Sequence, residues 1–243
     1  MEIIVQKFGG SSVANTEKLY NVCKHIIKEK KKGKKVVVVV SAQGDTTDEL
    51  IREEAEITQE PNKREHDMLV SVGEQITIAK LTMCLQKLGH NAVSYLAWQV
   101  PIITDSNYGD ANIIKIEKKN IINALKLGNI VIIAGFQGID KAKNITTLGR
   151  GGSDTTAIAL AATLKAEKCE IFTDVDGVYS EDPNKNENAI KYDKISYEKM
   201  LKMANNGAKV LHNKCVKLAQ EKNVKIVVKS TFKEESQGTI VEA

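Results

Sequence analysis

The segment "KKVVVVVSA", residues 34–42, contains five consecutive valines. Two substituents on Cβ stiffen χ1 and suit a pleated strand better than a helix. Apolar side chains at both odd and even positions leave no face for water, so this strand must be covered on both sides. Strands of that kind belong to parallel sheets, whose crossover connections place helices on each face. "EIIVQKF", "NIVIIAGFQGID", "KCEIFTDV" and "VKIVVKSTF" are further short apolar runs bounded by turn residues, and "NAVSYLA" and "VPIITD" also read as strands.

Helical spacing fills the intervals. Leu19, Val22, Cys23, Ile26 and Ile27 predict an amphipathic helix over 16–32. Further helices are expected over 46–58, 63–88 (after a break near Pro61), 117–127 (stopped by Gly128), 154–165, 196–205 and 209–222. The fold class is therefore α/β: a three-layer αβα sandwich around a mostly parallel sheet. No linker is evident, and 101–147 is expected to form a sub-lobe. Ligands of such sheets bind beyond the carboxyl ends of the strands, here the loops after Phe8, Val40, Ala134 and Phe172.

Composition narrows the class. The 243 residues carry 35 Lys+Arg against 31 Asp+Glu, a net +4 too weak and too scattered for a nucleic-acid surface. The basic run Lys28–Lys35 closes a helix, where cations suit the dipole. No apolar run of membrane-spanning length and no signal peptide is recognised. Cys23, Cys84, Cys169 and Cys215 are far apart with no C-x-x-C pair, so buried, reduced thiols are expected rather than disulfides or a zinc site.

Each loop admits a bland reading and a chemical one. In "KFGGSS", Gly9 and Gly10 either form a turn or let the amides of Gly9, Gly10 and Ser11 cradle phosphate, with Lys7 adding a charge. It is not a Walker loop. In "SAQGDTTDEL", Ser41, Thr46 and Thr47 offer hydroxyls, while Asp45 or Thr46 is expected to cap the next helix. Glu74 lies in an apolar helical stretch and needs a partner if buried. "GRGGSD" carries the strongest signal: Gly149, Gly151 and Gly152 permit a tight wrap, Arg150 presents a fork that fits a carboxylate, and Ser153 and Asp154 stand at a helix start. "TDVDGVYSEDP" offers Thr173, Asp174 and Tyr179, either as a nucleotide border or as an Asp-Gly hairpin. Lys209 at a helix start is electrostatically awkward without an anion.

These loops, in this order, resemble the aspartate kinases of the amino-acid kinase superfamily. The resemblance spans the chain through "KFGGSS", "VVVVSAQGDTTDEL", "HDMLVSVGEQI", "VIIAGFQGID", "TTLGRGGSDTTAIALAA", "FTDVDGVYSEDP", "GAKVLH" and "VVKSTF". It implies a sheet of about eight strands and transfer of the γ-phosphoryl group of ATP to the side-chain carboxylate of L-aspartate. That reaction begins the routes to lysine, threonine, methionine and diaminopimelate. It implies Lys7 and Asp154 as the catalytic pair. Lys7, Gly9, Gly10, Ser11, Thr173, Asp174, Tyr179, Lys185 and Lys209 become the ATP contacts. Ser41, Thr47, Glu74, Arg150, Gly151, Gly152 and Ser153 become the aspartate site. Mg²⁺ is expected on the nucleotide phosphates without a protein cage, in a cytoplasmic homodimer with no nucleic-acid or membrane partner.

Three positions depart from the family pattern: Ser11 replaces a frequent threonine, Asn184 (with Lys185 next) stands where arginine is usual, and Asn213 replaces a common proline. Residues 1–243 are read as the catalytic domain alone, because family members continue into two small regulatory ACT domains. The rivals are another kinase of the superfamily, acting on glutamate, acetylglutamate or uridylate, and a non-catalytic nucleotide-binding subunit. "GRGGSD" with Glu74 and "SAQGDTT" argues against the first, and the presence of both Lys7 and Asp154 against the second.

Overall fold

A computed structural model describes residues 2–181, 183, 186, 188–205, 210–233 and 236–243. Strand β1 (Ile3–Phe8) leads through a short helix α1 (Gly10–Val13) to α2 (Thr16–Lys31) and β2 (Lys35–Val40). Three helices follow, α3 (Thr46–Ile57), α4 (Lys63–Val70) and α5 (Val72–Lys87), then β3 (Ala92–Tyr95), β4 (Ile102–Thr104), β5 (Ile113–Ile116) and α6 (Lys119–Lys126). β6 (Ile130–Ala134), β7 (Gln137–Ile139) and β8 (Ile145–Thr147) precede α7 (Gly152–Leu164) and β9 (Cys169–Thr173). The chain closes with β10 (Lys194–Ser196), α8 (Tyr197–Asn205), α9 (Asn213–Lys222), β11 (Ile226–Ser230) and β12 (Thr239–Glu242).

Eight strands form the main sheet in the order β10-β12-β11-β9-β1-β2-β6-β3, parallel except where β11 meets β12. The valine run of β2 is fully buried from Val36 to Val40. Val37 and Val39 pack with Val5, Val131, Ile133 and Ile171 on one face, under α6, α7, α8 and α9. Val36, Val38 and Val40 pack with Ile4, Phe8, Ile130 and Ile132 on the other, under α2 and α5. Alternate residues thus feed two separate cores, as a doubly covered strand requires. Register brings Phe8 opposite both Val40 and Phe172, and Val40 opposite Ala134, so four strands end at one level and their loops share one edge.

The segment expected as one strand over 129–140 divides in two. Phe136 adopts φ 68°, a left-handed conformation uncommon outside glycine. The adjacent Gly135 packs so closely that a Cβ there would lie 2.6 Å from Ser153 Oγ and 2.9 Å from Val40 O. This corner carries the chain out of the main sheet into a second one, ordered β5-β4-β7-β8. It forms the sub-lobe expected within 101–147.

The helix expected over 63–88 also breaks, at Ser71. Its carbonyl accepts Gln137 Nε2 at 2.6 Å, which draws it away from the helical ladder. Read together, Lys63–Lys87 is long and apolar enough to cross a membrane by length and composition, contrary to the reading above. Ile78, Leu81 and Leu85 are nonetheless buried against the sheet, as for a core helix. The last long helix begins at Asn213 rather than 209, and Asp45 makes no side-chain capping bond to α3; Thr46 Oγ1 instead donates to Gln43 O at 2.7 Å. β5, β8, β10 and β12 were not expected; each is only three or four residues long.

Asp67 joins the lobes. This fully buried carboxylate on α4 accepts hydrogen bonds from Gly109 N (3.1 Å), Thr147 N (2.8 Å) and Thr147 Oγ1 (2.8 Å). Asp67→Ala strands three donors, so urea denaturation should show a loss of about 3 kcal/mol. A loss under about 1 kcal/mol would assign the lobe junction to apolar packing instead.

Candidate active site

The common edge of the four strands opens into a cleft of about 650 Å³. Its walls include Lys7, Gly9, Gly10 and Ser11 after β1, and Ser41, Thr47 and Asp48 after β2. Glu74 contributes from α5, Arg150, Gly151, Gly152, Ser153 and Asp154 from the start of α7, and Thr173 from the end of β9. One cavity therefore gathers residues from well-separated stretches of chain.

Glycine is required where the loops touch. A Cβ on Gly10 would lie 2.8 Å from Ala42 O, and the two loops are joined by Gly44 N donating to Gly10 O at 3.1 Å. Gly151 has φ 70° and lies against the His212 ring, where a Cβ would approach to 2.5 Å. Lys7 Nζ lies 3.5 Å from the position of a Cβ on Gly9, over the bare backbone of the loop. It is 2.7 Å from Asp154 Oδ1, with side-chain exposures of 12% and 10%. Arg150 is exposed in the cleft and makes no ion pair with any described residue.

Glu74 is buried and half satisfied. Oε1 accepts Ala42 N at 3.0 Å, whereas Oε2 has no hydrogen-bond partner among the described residues. Burial pushes its carboxyl up to about 8, against the smaller opposing effects of the Ala42 and Glu74 amides. Burial likewise raises all four cysteine thiols, and none is in a disulfide. Among the described residues, no group of three or more His, Cys, Asp and Glu side chains is placed to hold a metal.

Two expected contacts lie outside the cleft walls. Tyr179 turns its hydroxyl onto Asp176 Oδ1 at 2.7 Å, and Asp174 Oδ1 accepts the Thr173 hydroxyl at 2.9 Å. Lys185 and Lys209, with Asn184, fall outside the described residues. Phe136, His66, Gly109, Thr147, Val210 and His212 line the cleft without having been singled out from sequence. None carried a signal of its own in the sequence; His66 stands there only as the first residue of "HDMLVSVGEQI".

The sequence matches the profile of the amino acid kinase family over residues 2–230, and the chain belongs to that family. It is 52% identical over 242 residues to an aspartokinase of Bacillus sp. (strain MGA3), covering 100% of this chain and 59% of that protein. The chain thus spans about three-fifths of the length of such curated relatives. An aspartate kinase structure from Synechocystis superposes with a TM-score of 0.89 at 41% identity, covering 99% of this chain and 40% of the other. Aspartokinase III of E. coli, in complex with aspartate and ADP, gives 0.89 at 27% identity, covering 99% and 64%.

A carboxyl group raised by burial makes the fold less stable as pH climbs. Glu74 binds its proton more tightly folded than unfolded, so stability is lost between about pH 4.5 and 8. Glu74→Gln removes this slope. Thermal melts of the ligand-free protein at pH 6 and 8.5 should show a larger fall for the parent chain than for the variant. Equal falls would locate the titration elsewhere.

Proposed function

We propose that this chain catalyses transfer of the γ-phosphoryl group of ATP to the side-chain carboxylate of L-aspartate, giving 4-phospho-L-aspartate and ADP. The observation that carries the reading is Glu74 Oε2: a buried oxygen without a hydrogen-bond partner among the described residues, in the same cleft as a guanidinium that pairs with none of them and a glycine-lined lysine. An amino-acid ammonium group satisfies Glu74, and its α-carboxylate accepts the fork of Arg150. The name of the Bacillus relative and the aspartate and ADP bound by the E. coli structure support the same substrates.

In the reaction a side-chain carboxylate oxygen forms a bond to the γ-phosphorus as the bond to the β-phosphate oxygen breaks, and ADP leaves with that electron pair. The nucleophile is already anionic at neutral pH, so no proton need be removed. The barrier lies in bringing two anions together, and the protein's part is positioning and charge stabilisation. Lys7 Nζ and the amides of Gly9, Gly10 and Ser11 meet the phosphates, with the N-terminus of α7 nearby. Asp154 holds Lys7 in place rather than acting as a base. Ser41, Thr47, Gly151, Gly152 and Ser153 complete the acceptor end.

The phosphate end of the cleft is built of amide and ammonium donors rather than clustered acids, which fits Mg²⁺ brought by the nucleotide and held mostly by phosphate oxygens. When bound it neutralises phosphate charge. The reading extends the nucleotide site to Asp174, Tyr179, Lys185 and Lys209 by resemblance. It treats residues 1–243 as the catalytic unit of a cytoplasmic homodimer, a compartment that suits four buried, unpaired cysteines.

A coupled assay with MgATP and L-aspartate, with hydroxylamine trapping of the acyl phosphate and a panel of glutamate, acetylglutamate and UMP, tests the proposal. Turnover confined to another acceptor overturns it, and ATP binding without any turnover favours the non-catalytic rival. Lys7→Ala should lower kcat by roughly 10²–10³, the scale of losing one charge-stabilising donor; near-normal turnover would remove Lys7 from the chemistry. Arg150→Lys should chiefly raise the KM for aspartate, because a point charge replaces the fork. An unchanged KM would place the α-carboxylate elsewhere.

A further inference from the structure

The reaction above leaves His66, which lines the cleft, without a role. Glu54 on α3 and His66 on α4 meet with Oε2 2.7 Å from Nδ1. The Glu54 side chain is only 11% exposed, whereas the His66 ring keeps 28% and lines the cleft alongside Thr47, Glu74 and Arg150. A carboxylate on Nδ1 fixes the orientation of an imidazole and makes its other nitrogen more basic. No described residue hydrogen-bonds Nε2, so that nitrogen is what the ring offers to an occupant of the cleft.

Glu54 on α3 is the acid paired with the ring, and Asp48, Glu74 and Arg150 line the same cleft. On α4 itself, Arg64 pairs with Glu65, and Asp67 is committed to Gly109 and Thr147.

We propose that His66 is a further substrate-binding residue: as an imidazolium held by Glu54, it donates its Nε2–H to a carboxylate of the acceptor amino acid. Glu54 is its positioning residue. The inference rests on the acceptor reading given above and adds a contact to it.

Steady-state kinetics of the chain with MgATP and L-aspartate provide the test. His66→Leu should raise the KM for aspartate roughly tenfold near pH 6.5, the scale of one charge-assisted hydrogen bond, and leave the KM for ATP in place. His66→Gln keeps a donor, so it should recover part of the affinity. Glu54→Gln should raise the KM for aspartate without moving that for ATP. A parent-like aspartate KM in both His66 variants overturns the proposal.

Should the parent turn over no aspartate, the acceptor reading fails separately, and NMR decides the role of His66. Its ring Cε1–H resonance, assigned by its loss in His66→Gln, is titrated alone and with saturating L-aspartate or L-glutamate. An upward shift of the midpoint with either amino acid supports the contact, and an unmoved midpoint with both overturns it.

Discussion

Lys7 and Asp154 meet at 2.7 Å in a place where neither charge is comfortable alone. One stands at the end of the central strand β1, the other in the first turn of α7. Removing one partner of such a nearly desolvated pair typically costs about 3–5 kcal/mol, since the survivor keeps its burial and loses its counterion. The pair therefore fixes a cation above the bare backbone of the glycine loop. The other loops are arranged around this point: Ser41 N bonds Phe8 O at 3.2 Å, and Gly135 N bonds Val40 O at 3.0 Å, tying the strand ends side by side.

Charge in the cleft is segregated by the fold. The β1 loop supplies ammonium and amide donors, Arg150 a guanidinium and Glu74 a buried carboxyl raised by desolvation. Glu74 would be a liability in a structural helix, because a buried oxygen without a partner costs roughly 1–3 kcal/mol. Its position is intelligible when a cationic group from outside completes it. Thr231 shows the contrasting case of a buried polar residue with purely internal partners: its hydroxyl meets Ser12 Oγ at 2.6 Å, and its carbonyl accepts Asn21 Nδ2 at 2.8 Å and approaches His25 Nε2 at 2.9 Å. The "KSTF" motif thus fastens β11 to the first helices.

The inner strands were legible because five valines cannot be half wet; the glycine-rich loops were legible as turns beside Lys7 and Arg150, and their chemistry only through the family resemblance. The breaks were not legible. Ser71 interrupts its helix through Gln137, and Phe136 turns its corner at a strand end that reads as continuous; each depends on a partner or a backbone conformation that local sequence does not encode. The short strand "TIVE" joins the sheet only because its neighbours present an unpaired edge. In the site, residues carried by motifs could be named in advance, whereas His66, Phe136 and His212 reach the cleft through packing. The outward placement of Tyr179 follows from a hydrogen bond three residues away in sequence, which two competing readings of the Asp-Gly turn left open.

Asp67 stands next to His66 on a single turn of α4, and its three bonds run to the small sheet and to the loop at Gly109. The acceptor end of the cleft is thereby braced by the sub-lobe and not by the main sheet alone. Gly109, in the connection over 105–112, both lines the cleft and bonds Asp67, so a change in that connection passes directly to α4.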